Sequence, residues 1–323
     1  MRAAESMESR YPRSNTQYRM KTGKVLFLNE DQVRRHLPMP ELIHAMEKAL
    51  IDFSAGKVTQ PVRSVIKVDP PGGFLGLMPA LTPEGLGLKA VTFYPSNAER
   101  GIPTHMATVL LVDPQTGTPL SIMDGRLITE MRTAAVSAAA TKLLASPDSR
   151  VLAILGSGVQ ARSHAEALRL VRQFGEIRVW SPTQEHAKQF AEEIGGTAMS
   201  AEEAVRGADV VVTVTSSKTP VLKGSWLKPG CHVNVIGASR PDWRELDDEA
   251  MANVVFVDSR EGAMKESGDV ILSGAKIYAE LGDALAGKVP SRANETTIFK
   301  SLGMAVEDIA AAMLVYHSAK ATL

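Results

Sequence analysis

Residues Val151–Ala161 read VLAILGSGVQA: five apolar residues, then Gly156-Ser157-Gly158, then Val159, Gln160 and Ala161. A short, unbroken apolar run of that kind is a strand buried on both faces. The spacing predicts a helix from Val159 to about Phe174 and a second strand at Ile177–Trp180. Further along come helices at Glu185–Ile194 and Ala201–Arg206, and strands at Val210–Thr215, His232–Ile236 and Val254–Val257. Strands alternating with helices make a parallel sheet covered on both faces.

The pattern G-x-G-x-x-A is common by itself, and a tight turn without a ligand would also explain it. Its place between a strand and a helix gives it meaning. Gly156 permits the tight turn, Gly158 lets the backbone approach a pyrophosphate, and the helix start offers unpaired N–H groups to the anion. Ser157, Val159 and Gln160 belong to the same turn. Residues 132–303 are therefore expected to form a Rossmann-type doubly wound parallel sheet that binds a dinucleotide. An acid at the end of the second strand would select NAD. Here stand Trp180-Ser181-Pro182-Thr183, with no carboxylate at the strand end and no arginine ready there. Ser181, Thr183 and His186 could bond a 2′-phosphate, so NADP(H) is favoured and NAD(H) stays possible.

Upstream, the helical spacing of Leu42, Ile43, Met46, Ala49, Leu50 and Phe53 predicts a helix over 40–53. Apolar runs at Val62–Val68, Phe74–Met78, Leu88–Tyr94, Met106–Asp113 and Pro119–Met123 are separated by Pro/Gly turns and read as an antiparallel meander. An Ala-rich helix spans Arg132–Ala145 and stops at Pro147. These features predict an α+β domain with a mainly antiparallel sheet at 23–131. The polar, Arg-rich residues 1–22 read as a disordered tail.

The 323 residues carry 36 basic and 36 acidic side chains, with 44% hydrophobic and 22% charged residues. That balance gives no field for nucleic acid or an anionic membrane. No apolar run reaches transmembrane length. The single cysteine, Cys231, excludes an internal disulfide framework and a Cys-rich zinc site. A cytoplasmic protein acting on a small molecule, without a metal, is expected.

Several segments together resemble the ornithine cyclodeaminase/μ-crystallin family. They are Gln60-Pro61-Val62-Arg63, Lys89–Tyr94 (KAVTFY), Arg132-Thr133-Ala134-Ala135 and ILGSGVQA at 154–161. GASRPDWRELDDE at 237–249, KESGDVILSGA at 265–275 and FKSLGMAVED at 299–308 look closest to the μ-crystallin branch, which includes ketimine reductases. The resemblance runs from about Leu26 to Ser318. It implies a homodimer whose N-terminal domain supplies the substrate residues and the interface, completed by a terminal helix at 304–323.

It also implies that Arg63 and Arg132 hold a substrate carboxylate and that Lys89 sits beside the reacting carbon. Each has a plainer reading. Arg63 could face solvent at the start of a strand, and a buried Lys89 needs a partner or an exit to water. Arg132 would open the Ala-rich helix, where the positive dipole end disfavours a cation unless an anion is near. Thr104 and His105 match a Ser-His pair near the cofactor, although His105 could equally be a core residue between strands. Gln160, Thr215, Ser239 and Ser301 match contact positions, and Ile236 is grouped with the cofactor residues. Ser301 would also cap the last helix, and Lys265 and Asp269 are spaced for a helical ion pair.

Ornithine cyclodeaminases carry an aspartate where this chain has Ser239, and a serine cannot take a proton from an amine near neutral pH. The resemblance therefore points to NAD(P)H-dependent reduction of a preformed cyclic ketimine carboxylate, giving pipecolate or proline. An amino-acid dehydrogenase or cyclodeaminase with a relocated base is the second reading. A non-catalytic, NADPH-regulated thyroid-hormone binder or crystallin is the third.

Overall fold

The computed structural model describes residues 25–322; the expected tail at 1–22 lies outside them. Strand β1 (Leu26–Leu28) leads into helix α1 (Glu30–Arg35), which starts on a reciprocal cap between Asn29 and Gln32. Helix α2 (Met39–Ser54) follows with one buried face. The meander comprises β2 (Ser64–Val68), β3 (Gly73–Leu81), β4 (Leu86–Phe93), β5 (His105–Val112) and β6 (Pro119–Asp124). Each strand pairs antiparallel with the next, and β1 adds parallel to β6, closing the order β1-β6-β5-β4-β3-β2.

Helix α3 (Arg126–Leu144) joins this sheet to the other half. Its alanines are almost wholly buried, and their small side chains let it pack against α2 on one side and the parallel half on the other. It begins six residues before the position expected. The Asp124 carboxylate accepts from the Leu127 amide at 2.9 Å, so the helix starts there. Arg132 consequently lies in the second turn, and the dipole penalty expected at a helix start does not apply to it.

The parallel half contains β7 (Val151–Leu155), α4 (Val159–Val171), β8 (Glu176–Trp180), α5 (Gln184–Ile194), β9 (Thr197–Ala198), α6 (Ala201–Val205), β10 (Val210–Thr213) and β11 (His232–Val235). Next come α7 (Asp248–Met251), β12 (Val254–Val257), α8 (Arg260–Glu266), α9 (Gly268–Ser273), β13 (Ile277–Glu280), α10 (Leu281–Leu285), β14 (Thr297–Lys300) and α11 (Ala305–Ala321). The sheet order is β13-β12-β14-β11-β10-β7-β8-β9, with every pairing parallel. Strand order reverses between β7 and β10, the place where open α/β sheets bind ligands at the carboxyl ends of their strands.

The last helix, α11, returns to cover β3, β4 and β5. It begins at Ala305 after Met304, so Ser301 does not cap it. Lys265 and Asp269 do not pair either, because α8 ends before α9 begins. Lys265 instead meets Glu261 at 2.7 Å, and Asp269 meets Lys300 at 3.0 Å.

Candidate active site

Two clusters occupy the carboxyl-end side of the parallel sheet. The first is the turn from β7 to α4. Gly156 has φ +133°, and a Cβ there would stand 2.7 Å from the Val214 carbonyl, so only glycine fits. Gly158 is extended and faces open space, with nothing within 4 Å of the place a Cβ would take. No side chain caps α4, and the buried Gln160 Oε1 has no partner among the described residues. Bare helix-start amides and an open glycine fit a dinucleotide pyrophosphate. Replacing Gly158 by Val should therefore leave the thermal midpoint almost unchanged while abolishing dinucleotide binding in calorimetry; retained binding would refute this placement.

Ser157 Oγ donates to Ser181 Oγ at 2.9 Å, joining the turn to the end of β8. Thr183 begins α5 without capping it through its side chain, and Thr183 and His186 are exposed there. At Thr215, expected as a contact position, Glu245 Oε1 accepts from the amide at 2.7 Å and from the hydroxyl at 2.6 Å. Ile236 is half-buried, and its amide donates to the Thr213 carbonyl.

The second cluster lies between the two halves. Lys89, on the inner face of β4, is 1% exposed, and its Nζ stands 2.6 Å from Asp308 Oδ2. Arg132 donates from Nε to Asp308 Oδ1 at 3.1 Å and from Nη1 to Glu307 Oε2 at 2.6 Å. The adjacent acids Glu307 and Asp308 are fully buried on the first turn of α11. Arg63 pairs with Glu266 at 3.1 Å and donates from Nη2 to the carbonyls of Leu302 and Gly303. Asp258, following β12, accepts from the amides of Ser259, Leu302 and Gly303. The 301–303 turn thus ties the strand end to Arg63, and Arg132 packs on Gly303, where a Cβ would collide with its guanidinium.

Asp308, to which the sequence alone assigned no role, joins Lys89 to Arg132, and the Leu302–Gly303 turn brings Arg63 beside them. Burial lowers the Lys89 pKa to about 8 against the pull of Asp308. Burial raises Glu307 to about 7, opposed by Arg132. His105 is half-buried at the start of β5; desolvation and then Lys89 and Arg132 depress it to about 4, so it is neutral near pH 7. Its neighbour Thr104 accepts the Tyr94 amide through its carbonyl. Ser301 Oγ leans on Asp258 at 3.4 Å.

Ser239 is exposed in the loop after β11. Beside it the Arg240 guanidinium lies 5.1 Å from the Trp243 ring and 5.4 Å from that of Phe74, so the loop of one half rests on the sheet of the other. A buried network holds this loop: Lys300 meets Asp269 and the Gly237 carbonyl, and Asp269 Oδ1 accepts the amides of Glu245 and Leu246. The signal for Glu307 and Asp308 was present as two acids inside an otherwise apolar helical pattern.

Residues 24–322 match the ornithine cyclodeaminase/mu-crystallin family. The chain is 53% identical over 302 residues to ketimine reductase mu-crystallin of Mus musculus, covering 90% of this chain and 96% of the relative. The structure is similar to Thermococcus litoralis Δ1-pyrroline-2-carboxylate reductase in complex with NADH and L-proline (TM-score 0.88, 37% identity, 92% of this chain and 98% of the other). It is also similar to an archaeal alanine dehydrogenase dimer with bound NAD (TM-score 0.87, 35% identity, 92% and 97%).

Proposed function

The chain belongs to the ornithine cyclodeaminase/mu-crystallin family, and from that premise we propose that it reduces cyclic ketimine carboxylates of the Δ1-piperideine-2-carboxylate and Δ1-pyrroline-2-carboxylate type to cyclic amino acids. The observation that carries this reading is the gathering of three cations around the start of α11: Lys89 and Arg132 buried on Asp308, and Arg63 on the carbonyls of Leu302 and Gly303. The relatives named ketimine reductase and pyrroline-2-carboxylate reductase support it.

Arg63 Nη1 and Arg132 Nη2 make no hydrogen bond within the described residues. They grip the substrate carboxylate, and their fixed partners hold it in one orientation. A bound nicotinamide dinucleotide supplies hydride to the imine carbon. Lys89 gives the matching proton to the imine nitrogen; a pKa of about 8 suits that task. Its charged form is lost as pH rises, so kcat/KM should fall above about pH 8. A rate that stays flat through that range would remove Lys89 from this role. Ser239 leaves that position without a base for an amine. Incubation with the cyclic imine should yield pipecolate or proline by mass spectrometry, whereas L-ornithine with oxidised cofactor should release no ammonia.

NADPH is the preferred donor in this proposal, because Ser181, Thr183 and His186 stand where an acid would select NADH. The parallel half holds the cofactor, and the six-stranded half, completed by α11, holds the substrate and the partner copy. The sheet face opposite α11 is apolar and uncovered in the single chain: Phe27 is 69% and Ile66 56% exposed, in line with Leu75, Leu77, Leu88 and Met106. A second copy buries this face, and the similarity to an archaeal alanine dehydrogenase dimer supports pairing of two copies. Ile66→Glu should give a monomer in light scattering; an unchanged dimer would place the interface elsewhere. Among the described residues, no helix is long and apolar enough to cross a membrane.

A further inference from the structure

Glu307 stands apart from the other acids of the cluster. Asp308 uses both oxygens on cations, and Asp258 accepts three amides. Glu307 uses only Oε2, on Arg132, while its buried Oε1 has no partner among the described residues. A buried ionised oxygen without a donor is costly, whereas a neutral carboxyl there is not. The groups around it are Arg132 on α3, Asp308 beside it on α11 and Asp258 at the end of β12. Lys89 on β4, neutral His105 on β5, and the Arg63–Glu266 pair complete the surroundings. Four carboxylates therefore face three permanent or near-permanent cations before any substrate arrives.

We propose that Glu307 takes up a proton when the anionic substrate binds, so that the site loads a carboxylate and a proton together. This rests on the reading that Arg63 and Arg132 hold the substrate carboxylate. A fifth negative group drawn onto Arg132 weakens the stronger of the two interactions that favour ionised Glu307, the other being the Met304 amide. Protonation removes the conflict and leaves Arg132 free to turn its charge toward the substrate. The free-site pKa of about 7 places the exchange near neutrality. Such linkage makes carboxylate affinity fall as pH rises, by at most about tenfold per pH unit for one proton.

The test is calorimetric titration of the cofactor-loaded protein with pyrrole-2-carboxylate, an aromatic ring acid that cannot be reduced under these conditions. Titrations in buffers of different ionisation enthalpy count the protons taken up. Wild type should absorb part of a proton between about pH 7 and about pH 8.5 and lose affinity over that range. Glu307→Gln, a neutral isostere, should take up clearly fewer protons over that range, keeping only the part that Lys89 supplies near pH 8, and bind at least as tightly as wild type at the upper end. A purely structural role would weaken binding at every pH. The difference between wild type and variant is therefore the Glu307 component. Equal proton counts in wild type and variant would overturn the inference while leaving the carboxylate site intact. No binding at any pH would overturn both. Should the variant fail to fold, infrared difference spectra of wild type decide: ligand binding should create a protonated-carboxyl band, and its absence would overturn the inference.

Discussion

Arg132→Lys should lower kcat/KM for Δ1-piperideine-2-carboxylate by roughly 100- to 1,000-fold, with cofactor affinity unchanged. The guanidinium holds Asp308 through Nε and Glu307 through Nη1, and in the proposed binding mode it turns Nη2 to the substrate. Its planar fork fixes all three, and packing against Gly303 sets its plane. An ammonium at the same position has one nitrogen on a flexible stem. Satisfying the two buried acids pulls it away from the substrate carboxylate. One strong or two weaker charge-assisted bonds, together about 3–4 kcal/mol, give the stated range, since about 1.4 kcal/mol is tenfold. Steady-state kinetics with saturating cofactor measures it. A loss below about fivefold would mean that Arg132 only braces α11.

Asp269→Ala should destabilise the protein by about 3–5 kcal/mol, the cost of leaving a buried cation without its partner. Both Asp269 and Lys300 are fully buried and 3.0 Å apart. The same carboxylate accepts two amides of the loop that carries Glu245, and Glu245 in turn holds Thr213 and Thr215. The melting midpoint should fall by roughly 4–8 °C for a chain of this size. Asp269→Asn keeps the amide acceptor and should lose less. A midpoint within about 2 °C of wild type in Asp269→Ala would show that Lys300 finds another partner, such as the Gly237 carbonyl it already touches.

The sequence disclosed the elements whose patterns are local. The VLAILGSGVQA turn lies between a strand and a helix as expected, and the meander pairs strand to neighbouring strand. It hid what depends on distant partners. Strands β13 and β14 are four residues each, with polar or charged ends, and become strands only beside β12 and β11. Lys300 closes β14 as a charged residue, and the partner that makes its burial tolerable is Asp269, on a helix distant in sequence. Lys265 and Asp269 had helical spacing, but Ser267 caps a new helix between them and sends the two apart. Arg63, Lys89 and Arg132 entered through family resemblance. Glu307 and Asp308, which brace two of them, lie in the family-like stretch FKSLGMAVED with no role evident there, because α11 returns to the first sheet only in three dimensions.

Hydride should reach the imine carbon of a ring whose carboxylate lies between Arg63 and Arg132. Turnover of Δ1-piperideine-2-carboxylate with cofactor deuterated at nicotinamide C4, followed by mass spectrometry of the product, tests this directly. The expected product is pipecolate carrying deuterium at the carbon that bears the carboxylate, formed by wild type and nearly absent with Arg132→Lys. Cofactor binding without any labelled pipecolate would contradict that chemistry and leave a binding protein in place of a reductase.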